Sequence, residues 1–192
     1  MRRLVLLSGR GEANAQRCES IVAQSGLEYS LVRASWFAQN FSEGALLPQV
    51  LSGTIAMPAG DVREPFVDVD DIAEVAVAAL GEDNHNGRLY EVTGPRLLSF
   101  AEAAAEIARA TGRDIQYVPI SFDELYAGMS PVVGEAMAGM FTELCREVLD
   151  GRNASTANGV REALGREPRD FADYCRAMAA TGIWQVPAGV NT

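Results

Sequence analysis

Three small groups of residues carry the chemistry open to this 192-residue sequence. The first is Ser8-Gly9-Arg10-Gly11, a hydroxyl and a Gly-x-Gly turn directly after an apolar run. Glycines at such a turn let backbone N–H groups approach a phosphate. Here, however, the third glycine of the dinucleotide pattern falls on Asn14, and no acidic residue clearly ends a second strand about 20 residues later. A lone Gly-x-Gly therefore says little by itself. The second group is Asp68, Asp70 and Asp71, the only tight set of carboxylates. Paired carboxylates can exchange protons or hold a metal. Yet Asp is also favoured as the cap and in the first turn of a helix, where it meets orphan N–H groups and the positive end of the dipole, and that structural role outweighs the other. The third group is Trp36, Phe37 and Asn40, flat apolar surface beside one amide; singly, each aromatic reads as core.

The alphabet removes other mechanisms. All 16 basic residues are Arg, so no Schiff-base lysine, no lysine of a phosphate loop and no Tyr-Lys proton relay exists. The single histidine, His85, lies in the polar stretch Glu82 to Gly87 and reads as a solvated turn residue. A Ser-His-Asp triad would depend wholly on that turn, and a His-rich metal site cannot be built. Three cysteines, odd in number and far apart, indicate neither disulfides nor zinc; Cys18 and Cys175 fall on apolar faces and read as small core residues. No catalytic side chain and no metal is expected. The charge balance, 16 − 26 = −10, gives a pI near 4.6 and argues against nucleic acid, which needs a basic patch. No apolar run approaches the roughly 20 residues of a membrane span, and Leu4 to Leu7 is too short for a signal-peptide core. The cytoplasm is the default location.

These groups need elements to position them. Leu4 to Leu7 reads as a strand buried on both faces and ended by the glycine turn. A helix carrying Cys18, Ile21 and Val22 stops at Gly26, and Leu27 to Val32 forms a second strand. Ser35 is placed to cap a helix bearing Trp36, Phe37, Asn40 and Phe41. Thr54 to Met57 is a short strand, and Pro65 to Asp68 open a helix with Ile72, Val75, Ala76 and Ala79 on one stripe. After a strand at Leu89 to Thr93, two capping boxes, Ser99 with Glu102 and Ser121 with Glu124, start helices. A later helix carries Met137, Met140, Phe141, Leu144, Cys145 and Val148 along one side, the methionines facing inward. Two more helices fall near Asn158 to Leu164 and around Phe171 to Met178. The first hundred residues alternate strand and helix, as in an α/β parallel sheet, and the rest is mostly helical.

From Arg2 to Trp184 the chain resembles the NmrA-like family of atypical short-chain dehydrogenases/reductases. The residues that carry the resemblance are Ser8 to Gly11 after a strand, Glu19, Ser25-Gly26, Leu27 to Arg33, Trp36 to Phe41, Phe66 to Ala73 and Tyr90 to Pro95, in the family's order. The resemblance implies the C-terminal strands of a partial Rossmann-like parallel sheet over residues 1–95. A mainly helical, substrate-side portion comes after it, over 96–192. It implies NADP or NAD as cofactor and a quinone or similar small molecule as acceptor. It also places Ser8, Gly9, Ala34, Ser35 and Trp36 toward the cofactor, and Phe37, Asn40 and Phe66 toward the substrate pocket. For Ser8 a turn residue, for Trp36 and Phe66 a core aromatic, and for Asn40 a helix-surface residue stay open as alternatives. The family's glycine-rich cradle for the pyrophosphate would lie before Met1. Cofactor binding by this chain alone is therefore expected to be weak or absent, and the first strand is expected to leave an apolar edge open to self-association. A non-catalytic regulatory module or an inactive fragment is the alternative.

Overall fold

A computed structural model describes residues 2–186. Its sheet is built from three parallel strands. β1 (Arg3–Gly9) and β2 (Glu28–Ala34) run side by side, with Leu6 opposite Leu31 and Gly9 opposite Ala34. β5 (Arg88–Val92) pairs with the other side of β2. The order β1-β2-β5 leaves β1 at an edge among the described residues. The strand is therefore only half-buried rather than sealed on both faces, and Leu7 stands in the open. α1 (Ala13–Ala23) joins β1 to β2 but buries only Glu19. Cys18, expected in the core, is exposed, because its side of α1 is turned away from the sheet.

α3 (Val69–Gly81) buries Ile72, Val75 and Ala79, of which Ile72 and Val75 meet Val32, Tyr90 and Val92 in one apolar cluster. The acidic group serves as a helix start. The Asp68 carboxylate accepts from the Asp70 N–H at 3.0 Å. Asp71 is fully buried and takes the Arg166 guanidinium at 2.7 Å and the Arg169 N–H at 2.7 Å. Both guanidiniums bind Asp71 and Glu74 together and clasp α3 to the linker between α7 (Gly159–Leu164) and α8 (Phe171–Thr181). His85 corrects the sequence expectation outright. It is buried, with Nδ1 at 2.6 Å from the Tyr90 hydroxyl, while its carbonyl accepts from Ser30 Oγ at 2.7 Å. Only His85 is drawn inside; Glu82 to Asn84, Asn86 and Gly87 around it are exposed, so the turn is solvated as expected while its histidine is not.

Two small pairings extend the sheet side. β3 (Thr54–Met57), preceded by α2 (Leu47–Ser52), pairs in parallel with β7 (Gln116–Pro119), and β4 (Arg63–Glu64) pairs antiparallel with β6 (Leu98–Ser99). Ser99 then caps α4 (Phe100–Thr111) and Ser121 caps α5 (Phe122–Val133), each with its reciprocal glutamate bond. Ser99→Ala is expected to cost about 1 kcal/mol of stability, read as a shift of the urea midpoint, because a helix N–H group loses its partner. The main core gathers Phe41, Phe66, Phe100 and Phe171 with the buried Trp184, whose Nε1 donates to the Phe41 carbonyl at 2.8 Å. α6 (Glu135–Val148) buries Ala138, Thr142, Cys145 and Val148, while Met137 and Met140 face outward. The inward methionine stripe is thus corrected: α6 lies against its neighbours through Ala138, Cys145 and Val148, with Phe141 and Leu144 packed beside them.

Candidate active site

Parallel strands present their C-terminal ends together, and here β1 and β2 finish side by side at Gly9 and Ala34. Beyond those points the chain diverges, into the turn before α1 and into the segment Ser35 to Phe41. The gap between the two is a cavity of about 330 Å³, at the small end of the range for ligand sites. Ser8, Gly9, Ala34, Ser35, Trp36, Phe37 and Asn40 all border it. Phe66 does not. Its ring is sealed in the core, with centroids 5.4 Å from Phe41, 5.3 Å from Phe100 and 5.4 Å from Phe171, because Phe66 turns away from the segment its own backbone supports.

That support fixes the cavity wall. Val67 N–H donates to the Trp36 carbonyl at 2.9 Å, and Ala38 N–H donates to the Val67 carbonyl at 2.8 Å. Ser35 N–H donates to the Val92 carbonyl, and Ser35 Oγ to the Pro65 carbonyl at 2.6 Å. Ser35 is therefore a brace between segments and not the helix cap its sequence suggests. The chain continues from it into a single 3-10 turn over Ala38–Phe41 without a side-chain cap. Trp36 stands edge-on to Phe100 and to Phe141 of α6, at 5.8 and 6.4 Å. Phe141, Leu144 and Val148 complete the apolar side, a contribution the sequence alone does not reveal. Their helical spacing is visible, but spacing does not tell a face that meets a core from one that meets a cavity.

Ser8 and Arg10 on the polar side are tied into a chain of charged groups that lies outside the lining. Ser8 Oγ donates to Glu19, whose carboxylate also receives Arg33 Nε at 2.9 Å and a second nitrogen of the same guanidinium. Arg33 holds the Glu19 carboxyl below the usual carboxylate range against the opposing effect of burial, with Ser8 assisting. Arg33 continues to Glu91 at 2.9 Å, and Glu91 to Arg10 at 3.5 Å. Arg10 also gives its guanidinium to the carbonyls of Asn153 and Ser155. Behind the wall, Glu64 is fully buried with no partner for either carboxylate oxygen among the described residues. Burial pushes its carboxyl up to about 7, while Arg10 pulls the other way and Asp150 adds to the rise.

The β1–α1 turn is a poor place for a diphosphate. The Ala13 N–H at the start of α1 already donates to Glu147 at 3.0 Å. The Glu12 carboxylate lies against Gly9, and its carboxyl is raised by burial and by Glu147. Arg152 and Asn153 bind the carbonyls of Gly11 and of Arg10 respectively. Protein groups, two of them acidic, thus crowd this turn, and the N–H that opens α1 is already taken. Flat apolar walls and the amide of Asn40 fit a planar ring instead. Among the described residues no group of three or more His, Cys, Asp or Glu is arranged for a metal, and no helix is long and apolar enough to cross a membrane.

Known proteins agree with this architecture. The chain is 33% identical over 162 residues to the NAD(P)H azoreductase of Xenophilus azovorans, covering 83% of this chain and 56% of that protein. It spans about half the length of the curated relatives it matches. The NADPH complex of an NADPH-dependent quinone oxidoreductase from Escherichia coli superposes with a TM-score of 0.80 at 20% identity, over 93% of this chain and 66% of that one. Nmra, a negative transcriptional regulator solved with NAD, gives 0.57 at 22% identity, over 97% and 68%. These two likenesses show the same Rossmann-type fold. The model of the NmrA-like family matches residues 14–175, and the chain belongs to that family.

Proposed function

We propose that this chain forms the acceptor side of a pyridine-nucleotide-dependent oxidoreductase, with NADP or NAD as the hydride source and a quinone or similar planar molecule as acceptor. The observation that carries the reading is the cavity at the ends of β1 and β2, walled by Trp36, Phe37 and Phe141 and floored by Ser8 and Ala34. A reduced nicotinamide bound there supplies the hydride. The chain's own residues hold two flat rings against each other and keep water out, so rate comes from positioning. Asn40 offers the amide that orients a polar substituent. The likeness in sequence to a protein named as an azoreductase supports the acceptor class.

The test is NADPH oxidation in the presence of a panel of small quinones at millimolar cofactor. Acceptor-dependent turnover is expected, and Trp36→Ala is expected to lower it by about tenfold, the equivalent of roughly 1.4 kcal/mol of lost positioning. Because the β1–α1 turn offers no phosphate site, NADPH affinity of this chain alone is expected to be weaker than micromolar in a fluorescence titration. A dissociation constant near 1 μM, about 8 kcal/mol of binding, would mean that a diphosphate site exists and would contradict that part of the reading. A second reading, a cofactor-sensing module without turnover, is favoured by the cavity's lining, which includes no Tyr, His or Lys to exchange a proton. Binding without acceptor-dependent oxidation would select it.

A further inference from the structure

The two hydroxyl groups on the cavity wall have no proton left for a ligand. Each serine hydroxyl holds one donor and two lone pairs. Ser35 Oγ lies 2.6 Å from the Pro65 carbonyl oxygen, an atom that can only accept, so the Ser35 proton points into the protein. Ser8 Oγ meets Glu19, and Glu19 is gripped by two nitrogens of Arg33. A carboxylate held by a guanidinium fork is an acceptor at both oxygens. Ser8 must therefore donate to Glu19, and only its lone pairs remain for the cavity. Glu12, the one carboxylate on the lining, adds a further acceptor.

We infer that Glu19 fixes the polarity of Ser8, so that this end of the cavity selects aromatic ligands bearing an N–H or O–H donor, such as a primary amide, an amine or a phenolic hydroxyl, over ligands that present a bare carbonyl oxygen. Ser8 is the contact and Glu19 is a positioning residue that acts through it. A bare carbonyl at Ser8 would set lone pair against lone pair and lose the hydrogen bond it makes in water. An amide N–H at the same place would be satisfied. This selectivity rests on the cavity proposed above as the ring site, but it concerns which ring edge is bound and not whether hydride moves.

Benzamide and acetophenone have nearly the same shape and differ in NH₂ against CH₃, so they isolate the donor. Titrated into the full chain and followed by tryptophan fluorescence and by ligand-observed NMR, benzamide is expected to bind about fivefold more tightly than acetophenone. Ser8→Ala is expected to bring that ratio to near one. Glu19→Met frees the Ser8 proton, so it is expected to strengthen acetophenone binding and lower the ratio, a gain that simple loosening of the site would not produce. Equal affinity of the two ligands for the wild-type chain, no binding of either, or a ratio unchanged in Ser8→Ala would overturn the inference. If Glu19→Met gives no cooperative melt, Ser8→Ala decides the matter alone. Because the readout is binding without cofactor, selectivity without turnover would sink the oxidoreductase reading and leave this one standing, and turnover without selectivity would do the reverse.

Discussion

Replacing Glu64 by glutamine is expected to make the protein about 2 kcal/mol more stable at pH 8 and about 1 kcal/mol less stable near pH 4. The carboxyl is buried, lacks a partner and is pushed up to about 7 from an ordinary 4.5. Below the ordinary value both folded and unfolded chains carry the proton, and folding costs nothing in ionisation. Between about 4.5 and 7 the unfolded chain loses it while the folded chain keeps it, so stability falls as pH rises. At about 1.4 kcal/mol per unit the loss reaches about 3 kcal/mol above pH 7. Glutamine removes that dependence but leaves a buried amide in place of the acid, which offsets part of the gain. Arg10 and Asp150 act on Glu64 with opposite signs and do not reverse the direction. Urea titrations of both proteins at intervals from pH 4 to 8 measure the difference. A variant that is less stable at pH 8, or a difference that does not rise with pH, would show that Glu64 finds a partner in solution.

Phe66→Ala is expected to cost about 4 kcal/mol, the upper part of the range for emptying an aromatic site in a closed core. Phe66 is 2% exposed, and its ring meets those of Phe41, Phe100 and Phe171. Those rings belong to three different stretches of chain, so they cannot all move into the space. The urea midpoint should fall by more than about 1 M. Since Val67, the next residue, holds the Trp36 and Ala38 backbone, ligand affinity is expected to fall with the folded fraction while the choice between ligands stays the same. A loss below about 1 kcal/mol would place Phe66 at a surface that can relax, as a pocket-lining residue would.

The contrast between these two residues shows what a sequence can carry. The capping boxes at Ser99 and Ser121 and the Asp68 cap are legible because donor and acceptor lie within three residues of each other. The grouping of Ser8 with Trp36 and Asn40 is legible only through family resemblance, since nothing local says that β1 ends beside β2. His85 is misread as solvated because its partners, Tyr90 and Ser30, belong to strands on either side in sequence. The outward turn of Met137 and Met140 depends on which face of α6 its neighbours cover. Phe141 and Leu144 reach the cavity for the same tertiary reason. Glu64 leaves no mark at all: a charged residue beside a proline reads as surface until the fold buries it.

The clasp at Asp71 has a further consequence in strong base. Both of its cations are guanidiniums, as is every other basic side chain here apart from the lone imidazole, and a guanidinium keeps its proton far above the range where an ammonium group gives one up. Caustic solution therefore leaves this joint intact. The groups that give way first are acids sealed in the interior, such as the Cys145 thiol, held up to about 12 by its apolar surroundings. Alkaline denaturation of this protein should begin with charge forced into its core, and not with the parting of its ion pairs.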